Sequence, residues 1–157
     1  MNINKTIYYF CLILFLSCAA NKSIETNLTT KLDRAKDLFD KEKYSKAKEE
    51  FEYIIYNNPG SSVALNAQYY FAESLYMLEH YDQASREYDK YNMLSQNSEI
   101  IERSKFLICK CLYMLSSESN KDQNETTFTI DRIQYFLEEY PGTAHKDECE
   151  SMIKNLR

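Results

Sequence analysis

The chain has 157 residues, 44% apolar and 27% charged, a balance that suits one globular domain and excludes a disordered chain. Nineteen basic against 24 acidic side chains give a net charge of −5, which leaves no electrostatic footprint for nucleic acid. Two glycines and two prolines over this length, with no run of alternating β-branched residues, predict an all-α fold.

The first segment reads as targeting sequence. Lys5 supplies a positive start, and Ile7 to Leu16 is an apolar run too short to span a bilayer as a helix. Ser17, Cys18 and Ala19 follow as small residues at a cleavage point. A cysteine directly after such a run resembles the lipobox of bacterial lipoproteins, with Phe15 and Leu16 where that family prefers a leucine and a small residue. The resemblance implies a signal peptide over 1–17, cleavage before Cys18 and acylation of its sulfur, which anchors stably because several chains are attached. The other reading is an ordinary secretory signal with an incidental cysteine. Cleavage removes Lys5 alone, leaving 18 basic and 24 acidic side chains. Such an acidic chain gains nothing at an anionic lipid surface beyond its anchor. Residues 18–27 are polar and aperiodic and read as a short tether.

Residues 28–157 form the predicted repeat domain. Leu75-Tyr-Met-Leu78 recurs at Leu112, 37 residues on. The same offset carries Tyr44-Ser-Lys-Ala47 onto Tyr81-Asp-Gln-Ala84, and Ala35 onto Ala72 and Cys109. A fixed period of this size marks an array of units that cannot bury their apolar faces alone. Repeat one, 28–62, holds helices near 29–41 and beyond Tyr44, the second with Ala47, Phe51, Ile54 and Ile55 on one stripe. Asn57-Asn-Pro-Gly-Ser-Ser62 stops it, and its serines are placed to cap the next helix. Repeat two, 63–98, predicts helices over 63–79 and 82–94, with Ala84, Tyr88 and Tyr91 on the stripe. Repeat three, 99–143, predicts a helix over 99–115 and then a polar stretch from Ser116 to Thr127. Thr129, Ile133 and Phe136 carry the stripe before Pro141-Gly142. Thr129 lies 45 residues after Ala84, which places an eight-residue insertion in the turn of this hairpin. A seventh helix is expected over 144–155.

The small residue, aromatic and proline at Ala47, Phe51 and Pro59, preceded by Ala35 and Leu38, resemble the tetratricopeptide repeat, whose period is about 34 residues. The fold this implies is all-α, a tetratricopeptide-like right-handed superhelix of about three helix pairs plus a final, partial unit over 144–157. The order of motifs narrows the resemblance: a lipobox-like Cys18, three such repeats, Lys121-Asp-Gln-Asn-Glu-Thr126, then Phe136-Leu-Glu-Glu-Tyr-Pro-Gly-Thr143. It resembles the BamD family, the lipoprotein subunits of the outer-membrane β-barrel assembly machinery. Two departures stand out. Thr126 falls two residues late for that family's Asp-Gln-Thr run, and the family has about five repeats where this chain stops inside a fourth. The chain reads as a fragment or a shortened member, and the docking of the family's C-terminal half on its barrel partner BamA is not carried over. A different tetratricopeptide lipoprotein, scaffolding peptidoglycan or division complexes, is the alternative.

Candidate chemistry is sparse. His80 and His145 are the only histidines, and no phosphate loop or metal-spaced cluster accompanies them. The expectation is a non-enzyme without cofactor or metal, with His80 a helix C-terminal residue. Cys109 takes the slot of Ala35 and Ala72 and reads as a packed thiol; Cys109 and Cys111, two apart on a helix, face different ways. Carried over from the tetratricopeptide family, the first helix of each repeat lines a groove. Its positions here are Leu32, Lys36 and Phe39, then Tyr69, Glu73 and Tyr76, then Phe106, Lys110 and Tyr113. Spacings of four and three put each trio on one helical face, while Ala72, Leu75, Cys109 and Leu112 face a core. These helices are apolar on two faces, more than one-sided packing needs, or else neighbouring helices cover the rings. The groove reading selects Phe39, Tyr69, Glu73, Tyr76, Phe106, Lys110 and Tyr113 as peptide-binding residues, since tyrosine offers contact area and a hydrogen bond at small entropic cost. By resemblance the partners are barrel-assembly subunits and unfolded outer-membrane protein segments, met on the periplasmic face of the outer membrane.

Overall fold

The computed structural model describes residues 27–118 and 123–157. The signal segment, Cys18 and nearly all of the tether lie outside the described residues, as does the middle of the polar stretch after Ser116. Seven helices and no strand occur among the described residues: α1 (27–40), α2 (Tyr44–Asn57), α3 (Ser62–Met77), α4 (Tyr81–Leu94), α5 (Ser98–Glu118), α6 (Gln123–Glu139) and α7 (Lys146–Leu156). They pack as helix pairs of the tetratricopeptide type.

Local chemistry explains each boundary. Asn58-Pro59-Gly60-Ser61 closes a turn with Ser61 N–H donating to the Asn58 carbonyl at 3.2 Å, and Gly60 takes φ +78°, a value that favours a residue without Cβ. Ser61 Oγ then accepts from Ala64 N–H at 3.0 Å and caps α3. Tyr140-Pro141-Gly142-Thr143 repeats the hydrogen bond, Thr143 N–H donating to the Tyr140 carbonyl at 3.1 Å, without the positive φ of Gly60. Between repeats two and three Asn97 does the capping, its Oδ1 accepting from Ile100 N–H at 3.2 Å. Inside the first two hairpins the device is different. Glu42 and Glu79, 37 residues apart, both adopt left-handed φ, 57° and 63°. Each lets the following N–H reach back into the finished helix, Lys43 to Leu38 and His80 to Leu75, both at 2.9 Å.

His80 therefore stands at the entry to α4 rather than at the end of α3, and His145 at the entry to α7. A second expectation is also corrected. The eight-residue insertion is not a long turn, because α5 has 21 residues against 16 in α3 and α6 has 17 against 14 in α4. The extra residues extend both helices of the third hairpin, and residues 123–127 form the first turn of α6.

Two cores hold the array. The first runs from Leu32 and Ala35 on α1 through Phe51, Ile54, Phe71, Leu75 and Tyr88 to Leu107, Ile108 and Cys111 on α5. The second joins Phe106 and Cys109 on α5 to Ile133 and Phe136 on α6 and to Cys149, Met152 and Ile153 on α7. Cys109 and Cys111 thus face different cores, and α5 is the wall between them. Leu75 is fully buried, so Leu75→Ala is expected to cost about 2–5 kcal/mol in urea denaturation. Tyr56→Ser, at an exposed position, should shift stability by no more than about 0.5 kcal/mol.

Candidate polypeptide-binding face

The predicted ladder lies on the odd-numbered helices, and the structure divides its rungs. Tyr69 is 9% exposed, with its ring 5.4 Å from Tyr91 and 6.1 Å from Tyr88. Glu73 is 8% exposed; one carboxylate oxygen lies 3.6 Å from Arg103 on α5 and the other has no hydrogen-bond partner among the described residues. Phe106 is 4% exposed and stacks flat on His145 at 3.8 Å. Leu32 is buried too. These four are interior side chains, a correction to the picture of an open row, because helical spacing names a face without naming the helix that covers it. Burial first, then the charge of Glu73, pushes the Tyr69 phenol far above its ordinary range.

What stays half-exposed is Phe39, Tyr76, Lys110 and Tyr113. Phe39 meets Tyr44 and Tyr70 edge-on at 5.2 and 5.9 Å, and Lys36 lies 4.7 Å from the centre of the Tyr70 ring. Tyr76 packs edge-on against Tyr81 at 5.6 Å. Lys110 binds Glu148 of α7 at 2.9 Å. Its burial alone would lower the ammonium, but the Glu148 carboxylate and the Tyr76 hydroxyl outweigh this and hold it above its usual value. Tyr113 Oη accepts from Asn155 Nδ2 at 3.3 Å. The structure therefore brings Tyr76, Lys110 and Tyr113 into one seam bordered by α7, with Phe39 on the first repeat. Glu148 and Asn155 are the seam's unforeseen members, while Arg103 and His145 are the partners of the buried Glu73 and Phe106. The unpaired charges at Glu73 and Lys110 were a signal that partners of opposite sign must lie nearby.

No three His, Cys, Asp or Glu side chains converge as metal ligands among the described residues, and no described helix is long and apolar enough to cross a membrane. Stacked helix hairpins joined by equivalent turns define a tetratricopeptide-like helical-repeat protein. Residues 28–157 match the YfiO family, outer membrane lipoproteins, and the chain belongs to that family. The match agrees with the resemblance seen in the sequence at the level of the family. No curated protein matches the chain.

The thiols give this half of the molecule a pH signature. Burial pushes Cys109 and Cys111 up from 9.0 to about 12, so the unfolded chain loses these protons first. Stability is expected to hold below pH 9 and to fall as pH rises towards 12, read as the urea midpoint against pH. Cys109→Ala, the residue of the first two repeats, should flatten that fall. A thiol reagent at pH 8 should react with the three described cysteines, all buried, only after urea is added.

Proposed function

We propose that the chain is a lipid-anchored scaffold, facing the periplasm, that receives unfolded β-barrel polypeptides during their assembly into the outer membrane. The observation carrying the reading is the family match over residues 28–157, which makes the chain an outer membrane lipoprotein by family. The BamD-like order of motifs narrows it to barrel assembly, and Cys18 is the residue on which the anchor is proposed. The work is binding, not catalysis. A half-open seam of Tyr76, Lys110 and Tyr113, with Phe39 beyond, supports a receptor for an extended aromatic segment. Rings held edge-on by neighbours present area and hydroxyls without the cost of ordering them on binding. By family resemblance the segment is the aromatic C-terminal signal of outer-membrane proteins. The buried Tyr69, Glu73 and Phe106 serve as supports for the seam.

Tyr76→Ala combined with Tyr113→Ala should weaken such a peptide about tenfold or more by fluorescence anisotropy, with helicity by circular dichroism unchanged. Unchanged affinity removes the seam from the binding site. Purification in detergent tests the assembly role separately. Recovery of barrel-assembly subunits is the expected result, and recovery of cell-wall factors in their place overturns it.

A further inference from the structure

A second place to hold a polypeptide lies away from that seam. Between α4 and α6, floored by α5, is a crevice of about 230 Å³. Lys105 and Cys109, four residues apart, present a different face of α5 to it from the one on which Lys110 meets α7. Its charges are uneven in a telling way. Lys105 is satisfied, bound to Glu139 at 2.5 Å. Asp89 on α4 and Arg132 on α6, both half-buried, line the crevice and make no ion pair among the described residues. Asn92, also in the lining, spends one end of its carboxamide on the Ser104 hydroxyl, and its Nδ2 is buried without a partner. Two apolar side chains stand open on the rim, Met93 at 83% exposure and Tyr135 at 60%.

We propose that this crevice binds the main chain of an extended segment of a partner polypeptide. A carboxylate on one wall and a guanidinium on the other match the two halves of a peptide group, an N–H that donates to Asp89 and a carbonyl that accepts from Arg132. Asn92, its oxygen already accepting from Ser104, adds only its unpartnered Nδ2 as a further donor to a carbonyl. Lys105 and Glu139 cancel each other, so the charges left open are one of each sign, Asp89 and Arg132, which suits a dipolar group better than a lone ion. The volume holds about one residue with its flanking peptide groups, and the exposed Met93 and Tyr135 supply contacts for the apolar side chains on either side. The site is independent of the seam at Tyr76 and Tyr113.

The test uses the ¹⁵N-labelled full chain in detergent and a neutral probe, N-acetyl-phenylalanyl-glycine N-methylamide, with sodium acetate as a second titrant. The capped peptide should give saturable shifts at the Asn92 side-chain amide, the Arg132 Nε–H and the backbone amides of Met93 and Tyr135. Arg132→Gln, which breaks no ion pair, should weaken them at least fivefold, while Tyr76→Ala leaves them as they are. Shifts confined to Tyr76 and Tyr113, or absent, overturn the proposal. So do Arg132 shifts produced by acetate and not by the peptide, which make the crevice an anion site. Loss of seam binding in the Tyr76 and Tyr113 variants with crevice shifts retained separates the two sites.

Discussion

The structure depends on a small residue at each hairpin crossing. Ala35 and Ala47, then Ala72 and Ala84, are fully buried, and a missing side chain is what lets two backbones close on each other. Once they are close, the larger stripe residues Phe51, Ile54 and Tyr88 project past the crossing and into the next unit. The third hairpin breaks the rule with Cys109 and Thr129 in those slots, and Thr129 needs the Ser116 hydroxyl at 2.6 Å to be satisfied there. The α5–α6 pair is also less extensively packed than α3 and α4. The crevice between α4 and α6 is lined by Cys109 at that slot.

The position of α5 between two cores settles why its sequence is apolar on two faces. Leu107, Ile108 and Cys111 belong to the core of the first two repeats, while Phe106 and Cys109 belong to the core built with α6 and α7. Packing accounts for Phe106, one of the two aromatic residues on that helix, and α7 borders the other, Tyr113, through Asn155. What packing leaves is narrow: rings at Tyr76 and Tyr113 that are held by Tyr81 and Asn155 yet keep part of their surface in water. Side chains held in this way by their neighbours have little conformational entropy left to lose.

The helical class, the number of hairpins and the boundaries of the first two were legible because they rest on short-range chemistry. The 37-residue offset, the two Pro-Gly turns and the Ser61 cap each specify a local backbone state that the structure reproduces. Two features were hidden for different reasons. The polar run after Ser116 reads as loop by composition, but it holds no glycine or proline, and residues on either side of 119–122 continue as helix. The left-handed turns fall on Glu42 and Glu79, where no residue type announces them; the helix ends demand the conformation and the side chains tolerate it. Burial of Tyr69 and Phe106 was illegible at a higher level, since it depends on which neighbouring helix arrives above a face.

Charge distinguishes the two faces. Along the odd helices the middle positions alternate in sign, Lys36, Glu73, Lys110, and the molecule disposes of each charge internally: over the Tyr70 ring, beside Arg103 and on Glu148. Little field is left there to attract a charged ligand, and what the seam presents to solvent is ring area and hydroxyl groups. On the other side Asp89 and Arg132 remain uncompensated, and a segment lying across them exchanges water for two charge-assisted hydrogen bonds. A single unfolded chain could use both, aromatic side chains on one face and main chain on the other, provided it is long enough to pass around α5. The fold keeps the two kinds of contact apart because α5 needs both of its apolar sides for the cores, and only the margins of the hairpins are left for anything else.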